Sequence, residues 1–211
     1  SIWKHGGTGY YYDITINASG SGYPQFHFAN GGGQDFQAIG NIRVDDNQWH
    51  FLSGVREGNT IKLYIDGELS GSSDLPVGAN SDNSGNLQIG ASACWESTPV
   101  EHYMDEVRIW NRALTQAEIE ANIHRALDPS AEIGLVGYWR TEKGSGTTAI
   151  DLSGSGNHGT INGASWSDDV VSFAPGATLA SSAGTHTNLS PVPVTAAFTK
   201  NVTGLEVGDI V

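Results

Sequence analysis

Cysteine is almost absent from this sequence: Cys94 stands alone. No internal disulfide can form, which excludes a small disulfide-stapled animal module and suits a bacterial exported protein. Basic residues are also scarce, with 10 Lys and Arg against 23 Asp and Glu and a formal net charge of -13. So negative a surface repels nucleic acid and anionic lipid, both of which are held by clustered Lys and Arg. It suits divalent cations, neutral sugars or a saline medium, and it serves solubility in any case. No run approaches the roughly 18 apolar residues of a membrane span, so no membrane insertion is expected. The 7 histidines include no His-x-His or His-Glu-x-x-His spacing, which leaves transition-metal chemistry without a signature. No secretory leader precedes Ser1, and the chain opens in mid-pattern. It is expected to be a fragment or a processed piece of a larger protein.

What the sequence does have is glycine, 28 residues of it, placed between short β-branched and aromatic runs. That texture predicts strands joined by tight turns. Tyr10–Ile16, Gln25–Ala29, Trp49–Val55 and Asn86–Gly90 read as strands. Thr60–Ile65, Asp66-Gly67 and Glu68-Leu69 read as a hairpin, because Asp-Gly supplies the positive φ values of a type I′ turn. Met104–Trp110 alternates strictly and Leu135–Arg140 is a further strand, with Trp110 and Trp139 expected in the core. One helix interrupts the pattern. Thr115 and Glu118 form a capping box, and Ile119, Ile123 and Leu127 make one apolar stripe ended by Asp128-Pro129. Residues 1–172 read as one all-β domain with a helical ornament, 173–191 as a linker and 192–211 as the start of another β domain.

The chemistry in these residues favours binding over catalysis. Carboxylates arranged as Glu-x-Asp-x-x-Glu on one strand would serve glycoside hydrolysis. In Glu101–Glu106 the spacing is wrong and Glu106 faces away from Asp105. No Gly-x-Ser-x-Gly elbow or phosphate loop occurs, so the chain is expected not to be an enzyme. Asp105, Asp151 and Asn157 offer the hard oxygen ligands that calcium takes, the last two within a glycine-rich loop. The same short polar side chains also suit Asx turns. Trp95, His102 and Tyr103, in an aromatic connection with acidic and hydroxyl neighbours, could stack against a sugar ring. Trp95 could equally fold over the sandwich edge as a plug.

Three segments resemble the laminin G-like, concanavalin A-like jelly-roll domains of large bacterial exoproteins. They are Trp49-His50-Phe51 with the Leu63–Gly67 hairpin, Met104–Thr115 (MDEVRIWNRALT), and Leu135–Trp166. The likeness covers residues 1–172 and implies an antiparallel jelly-roll β-sandwich with one short helix, its opening strands missing. The tail 192–211 resembles the start of a bacterial immunoglobulin-like domain. The family implies a structural Ca2+ tying the closing arm to the sheet, and a secreted or cell-surface module that binds a glycan or glycoconjugate. Two other roles are a fibre subunit, its open strand position filled by a neighbouring copy or another part of the parent protein, and an accessory domain of a polysaccharide-degrading enzyme.

Overall fold

The computed structural model describes residues 2–6, 9–16, 21–31, 33–90, 102–141, 144–171, 173, 177–181 and 194–198. In chain order the elements are β1 (Ile2–Gly6), β2 (Tyr10–Ile16), β3 (Pro24–Asn30), β4 (Asp35–Ile39), β5 (Leu52–Glu57), β6 (Thr60–Ile65), β7 (Glu68–Asp74), β8 (Leu87–Ile89), β9 (Val107–Trp110), α1 (Gln116–Ile123), β10 (Leu135–Trp139), β11 (Thr148–Ala149), β12 (Gly159–Thr160), β13 (Ala177–Ser181) and β14 (Val194–Phe198). They fall into two compact units, Ser1–Val171 and Ser172–Val211. In the second unit β13 pairs antiparallel with β14. β13 lies inside the stretch read as linker, and β14 inside 192–211.

The first unit is an antiparallel β-sandwich. One sheet has the order β4-β3-β2-β1-β8 and the other β5-β6-β7. Period-two alternation sends one set of side chains between the sheets. Phe26, Phe28 and Ala38 from the first sheet meet Ile61 and Leu63 from the second, with Tyr12, Ile14 and Phe36 packed against them. At Gly54 on β5 a Cβ would lie 2.9 Å from the Phe26 ring, so glycine there sets how closely the sheets approach. The β6–β7 turn has Asp66 at φ 52 and Gly67 at φ 90, the two positive values expected of that hairpin.

α1 covers the outer side of the three-stranded sheet. Ile119 is buried against Val55 and Tyr64, with Phe51, Leu114 and Ile123 around them. The capping box forms: Thr115 Oγ1 accepts from Glu118 N, and the Glu118 carboxylate accepts from Thr115 N. The helix ends at Ile123, earlier than the apolar stripe implied. Leu127 therefore packs in a separate cluster with Leu135, Tyr138 and half-buried Trp110. Trp139 is buried as expected. The strand expected from Met104 begins at Val107, because Glu106 takes φ 55. That turn breaks the alternation and brings Glu106 and Val107 inward together. The strand expected from Trp49 begins at Leu52, which leaves Trp49 on the surface.

Candidate functional site

The most recognisable motif in the sequence is scaffold. Glu106 is 5% exposed, a burial that requires an ionised carboxylate to be fully partnered. It accepts from Arg108 Nη2 at 2.8 Å, Arg140 Nε at 2.9 Å and the Tyr138 hydroxyl at 2.6 Å. Arg108 also donates to the carbonyls of Asn122 and Arg125, tying the end of α1 to β9. Burial, reinforced by Glu106, pushes the Tyr138 hydroxyl up to about 12. Arg112 holds Glu118 at 2.7 Å and donates to Ile133 O. The segment from Asp105 to Glu118 is a polar frame for the closing arm.

Asp105 and Asp151, two of the three residues offered for calcium, belong to that frame. Asp151 is 5% exposed. Its Oδ1 accepts from Tyr138 N and Ser153 N, and its Oδ2 from Ser153 Oγ and Asn157 N, all at 2.9 Å. Burial alone would raise its pKa, but these donors hold it below the ordinary carboxylate value. Asp105 accepts from the backbone N–H groups of Glu106, Thr141 and Val171. The Asn157 side chain donates to Val136 O at 2.8 Å. Oxygens already facing N–H and O–H donors present the wrong surroundings for a cation, and no group of three or more His, Cys, Asp or Glu suited to a metal occurs among the described residues. As arranged, the Asp105 and Asp151 carboxylates do not fit a calcium ion. Asp151 makes the Asx-type turn to Ser153 N that its loop also suited.

Of the three residues offered for ligand binding, Trp95 lies outside the described residues. His102 and Tyr103 are exposed, and Tyr103 does not stand alone. Its ring lies 6.5 Å from that of Trp49 at an interplanar angle of 56°, with Trp49 40% and Tyr103 60% exposed. Two large rings side by side in water forgo burial that would stabilise the fold, which is a feature of ligand-facing surfaces. The backbone beneath Trp49 is pinned. His50 Nδ1 faces Asp66 Oδ2 at 2.7 Å and His50 Nε2 faces Asp46 Oδ1 at 3.1 Å. Asp66 Oδ1 accepts from Phe51 N at 2.8 Å, and Asp66 N donates to Phe51 O. Both ring nitrogens meet a carboxylate, the arrangement that favours an imidazolium. Partial burial lowers the pKa of His50, but the bonds to Asp66 and Asp46 outweigh it and the net direction is up. Trp49 Nε1 points to Asp169 Oδ1 at 3.4 Å. Reading Trp49 and His50 as strand residues hid this platform.

A second polar surface escaped the sequence reading. The outward face of the five-stranded sheet carries Trp3, His5, Tyr11, Asp13, Gln25, His27, Asp35 and Gln37, in register across β1 to β4. Its rings run in a row, Trp3 to His5 at 5.4 Å and His5 to Tyr11 at 5.6 Å. Asp35 Oδ2 accepts from Gln37 Nε2 and lies 3.6 Å from His27 Nδ1. Burial raises the pKa of Asp13, with His27 opposing and Asp35 adding to the rise. Asp13 Oδ1 is buried without a hydrogen-bond partner. The available signal was polar side chains alternating with Phe26, Phe28 and Phe36 on adjacent strands.

Comparison with known proteins adds the following. A profile described as the concanavalin A-like lectin/glucanases superfamily, of laminin G type, matches residues 2–120. No curated protein sequence matches the chain. A crystal structure of a candidate carbohydrate-binding protein from Bacteroides ovatus superposes with a TM-score of 0.57 at 22% identity, over 77% of this chain and 49% of that one. The chain thus spans about half the length of that protein, and the likeness concerns the fold. An S-layer domain-containing protein from Clostridium thermocellum matches at a TM-score of 0.32 and 22% identity over 54% of this chain and 56% of its own, too weak to carry an argument. The immunoglobulin-like beginning expected in residues 192–211 finds no support among these matches. With more than half its length matched by the profile, the chain belongs to the concanavalin A-like lectin/glucanase superfamily.

Proposed function

We propose that this chain is an extracellular carbohydrate-binding module that engages glycans through the Trp49–Tyr103 pair. The observation that carries the reading is two exposed, adjacent rings over a backbone fixed by the His50–Asp66–Phe51 bonds. Apolar sugar faces stack on such rings, and a platform held in place before binding avoids the entropy of ordering it. Asp169, beside the Trp49 indole, and exposed His102 supply polar groups at the rim. The shared fold with a candidate carbohydrate-binding protein supports the same reading. The frame around Glu106 and Asp151 takes no part in it, and their saturated carboxylates favour binding without hydrolysis.

A second surface is favoured by one specific observation. The unpartnered Asp13 Oδ1, buried beside Tyr11 and His27 on the outer sheet face, is an acceptor that a sugar hydroxyl would satisfy once the side chains over it give way. A glycan array on the purified chain, with and without EDTA, compared with Trp49→Ala and Asp13→Asn variants, separates the two surfaces. Loss of array signal in Trp49→Ala alone supports the ring pair. Loss in Asp13→Asn alone moves the site to the sheet. Signal unchanged in both variants contradicts both.

A further inference from the structure

Two kinds of group meet around the exposed ring pair, and together they favour one charge of ligand. Trp49 and Tyr103 are 40% and 60% exposed, with centroids 6.5 Å apart and planes tilted by 56°. Tilted rings leave face area open to water that a parallel stack would cover. The face of an aromatic ring is the negative pole of its quadrupole and attracts a cation within about 6 Å of the centroid, most strongly for Trp. Asp169 strengthens that pole. The Trp49 indole N–H points at Asp169 Oδ1, 3.4 Å from Nε1, and an N–H facing a carboxylate polarises the ring behind it. A cation over the indole therefore meets a negative face and, at the ring's edge, a carboxylate.

Little positive charge stands near to compete. Among residues 43–50, 102–106 and 166–171, which supply the pair and its flanks, Arg43 is the one Lys or Arg, and Asp45 binds it. Arg108, 5.4 Å over the Phe51 ring, is held by Glu106. His50 lies between Asp66 and Asp46, at 2.7 and 3.1 Å, so even its imidazolium is outnumbered by carboxylates. A ligand carrying carboxylate or sulfate groups is repelled here. The excess of 23 Asp and Glu over 10 Lys and Arg repels it at longer range as well. A hard metal ion is disfavoured for another reason. No group of three or more His, Cys, Asp or Glu suited to a metal occurs among the described residues, and ring faces do not replace oxygen ligands. An organic ammonium group fits both parts of the site, its C–H surface on the rings and its charge towards Asp169.

We propose that the Trp49–Tyr103 pair selects ligands that carry an organic ammonium group and rejects those that carry carboxylate or sulfate. The inference rests on the glycan reading of the same pair and narrows it to sugars bearing a free amine. The test is calorimetric titration of the full chain, at a mildly acid pH that keeps the amine protonated, with β-1,4-linked tetrasaccharides of glucosamine, N-acetylglucosamine and glucose. These share a backbone and differ at one position; a galacturonate tetrasaccharide serves as the anion. The glucosamine ligand should bind at least about threefold tighter than the two neutral ones, in line with a cation at an exposed ring, and the galacturonate should give no heat. Trp49→Ala and Asp169→Asn should each weaken the glucosamine ligand at least about threefold, and Asp169→Asn should leave the acetylated one unchanged. Asp82→Asn removes the same charge elsewhere and should change nothing. It follows the Asp74 end of β7, which pairs with Thr60, whereas Trp49 precedes β5 at its Ile65 end. Equal affinity for all three backbones, lost in Trp49→Ala, overturns the ammonium selection and leaves the glycan reading standing. Binding of every ligand untouched by Trp49→Ala overturns both. Galacturonate binding, no heat from the glucosamine ligand, or an Asp82→Asn loss as large as that of Asp169→Asn would each overturn the proposal.

Discussion

Removing the carboxylate of Glu106 should be among the most damaging single changes in the protein. Glu106→Ala takes away three close partners at once: Arg108, Arg140 and the Tyr138 hydroxyl. The side chain of Arg108 is 3% exposed, so its charge is left without its counter-ion in a place water does not reach. Its remaining bonds, to Asn122 O and Arg125 O, are dipolar and do not neutralise it. Breaking a buried pair by deleting one member costs roughly 3–5 kcal/mol. The positive φ at position 106 strains alanine as it strains glutamate, so no backbone relief offsets the loss. At about 2–4 °C per kcal/mol for a protein of this size, melting should fall by roughly 6–20 °C. Urea unfolding followed by tryptophan fluorescence reads the change as a lower midpoint with an unchanged slope. Glu106→Gln keeps the shape but loses the charge, and should fall between wild type and Glu106→Ala. Because the pair is buried, high salt should not abolish the difference. A loss below about 1 kcal/mol, the usual worth of a surface pair, would refute this account of the frame.

Two further outcomes follow from the same structure. Asp151→Ala strands the Tyr138, Ser153 and Asn157 donors and should cost roughly 2–5 kcal/mol, equally in calcium and in EDTA; a loss seen only with calcium present would restore the metal reading. Since the folded pKa of Asp151 is depressed, its contribution is full above the unfolded value near 3.9 and is lost as pH falls through the folded one. For His50, whose folded pKa is raised, the sign reverses: the contribution is full below about 6.5 and disappears as pH rises through the folded value. His50→Gln should remove that alkaline decline, read as melting temperature against pH, and a decline of unchanged size in the variant would contradict the clamp.

The parts of the fold legible in the sequence were those set by local chemistry. Asp66-Gly67 fixed its turn because the backbone needs two positive φ values there, and Thr115 with Glu118 capped α1 as their spacing required. What stayed hidden depended on partners distant in the chain. Glu106 alternates correctly on paper, yet its φ of 55 turns it into a core that Arg108 makes tolerable together with Tyr138 and Arg140, from β10 and the residue after it. Asp151 and Asn157 have the side chains of calcium ligands. Whether such oxygens face a cation or N–H groups depends on where Tyr138 N falls, and no local pattern records that. Trp49 reads as a strand residue until β5 is seen to begin at Leu52, and its pairing with Tyr103 joins residues far apart in the chain. Tyr103 was singled out from its neighbours in the chain, an aromatic near hydroxyl and acidic residues, and the structure adds its exposure and the ring beside it.

The central claim, that the Trp49–Tyr103 pair receives a glycan, is tested most directly by affinity. The strongest ligand from the array should be titrated calorimetrically into wild type, Trp49→Ala and Tyr103→Ala, with a thermal melt of each protein. Each truncation should weaken binding about tenfold or more, equivalent to about 1.4 kcal/mol, while the melting temperature stays within a few degrees because both rings are exposed. Undiminished affinity in two folded variants would contradict the account.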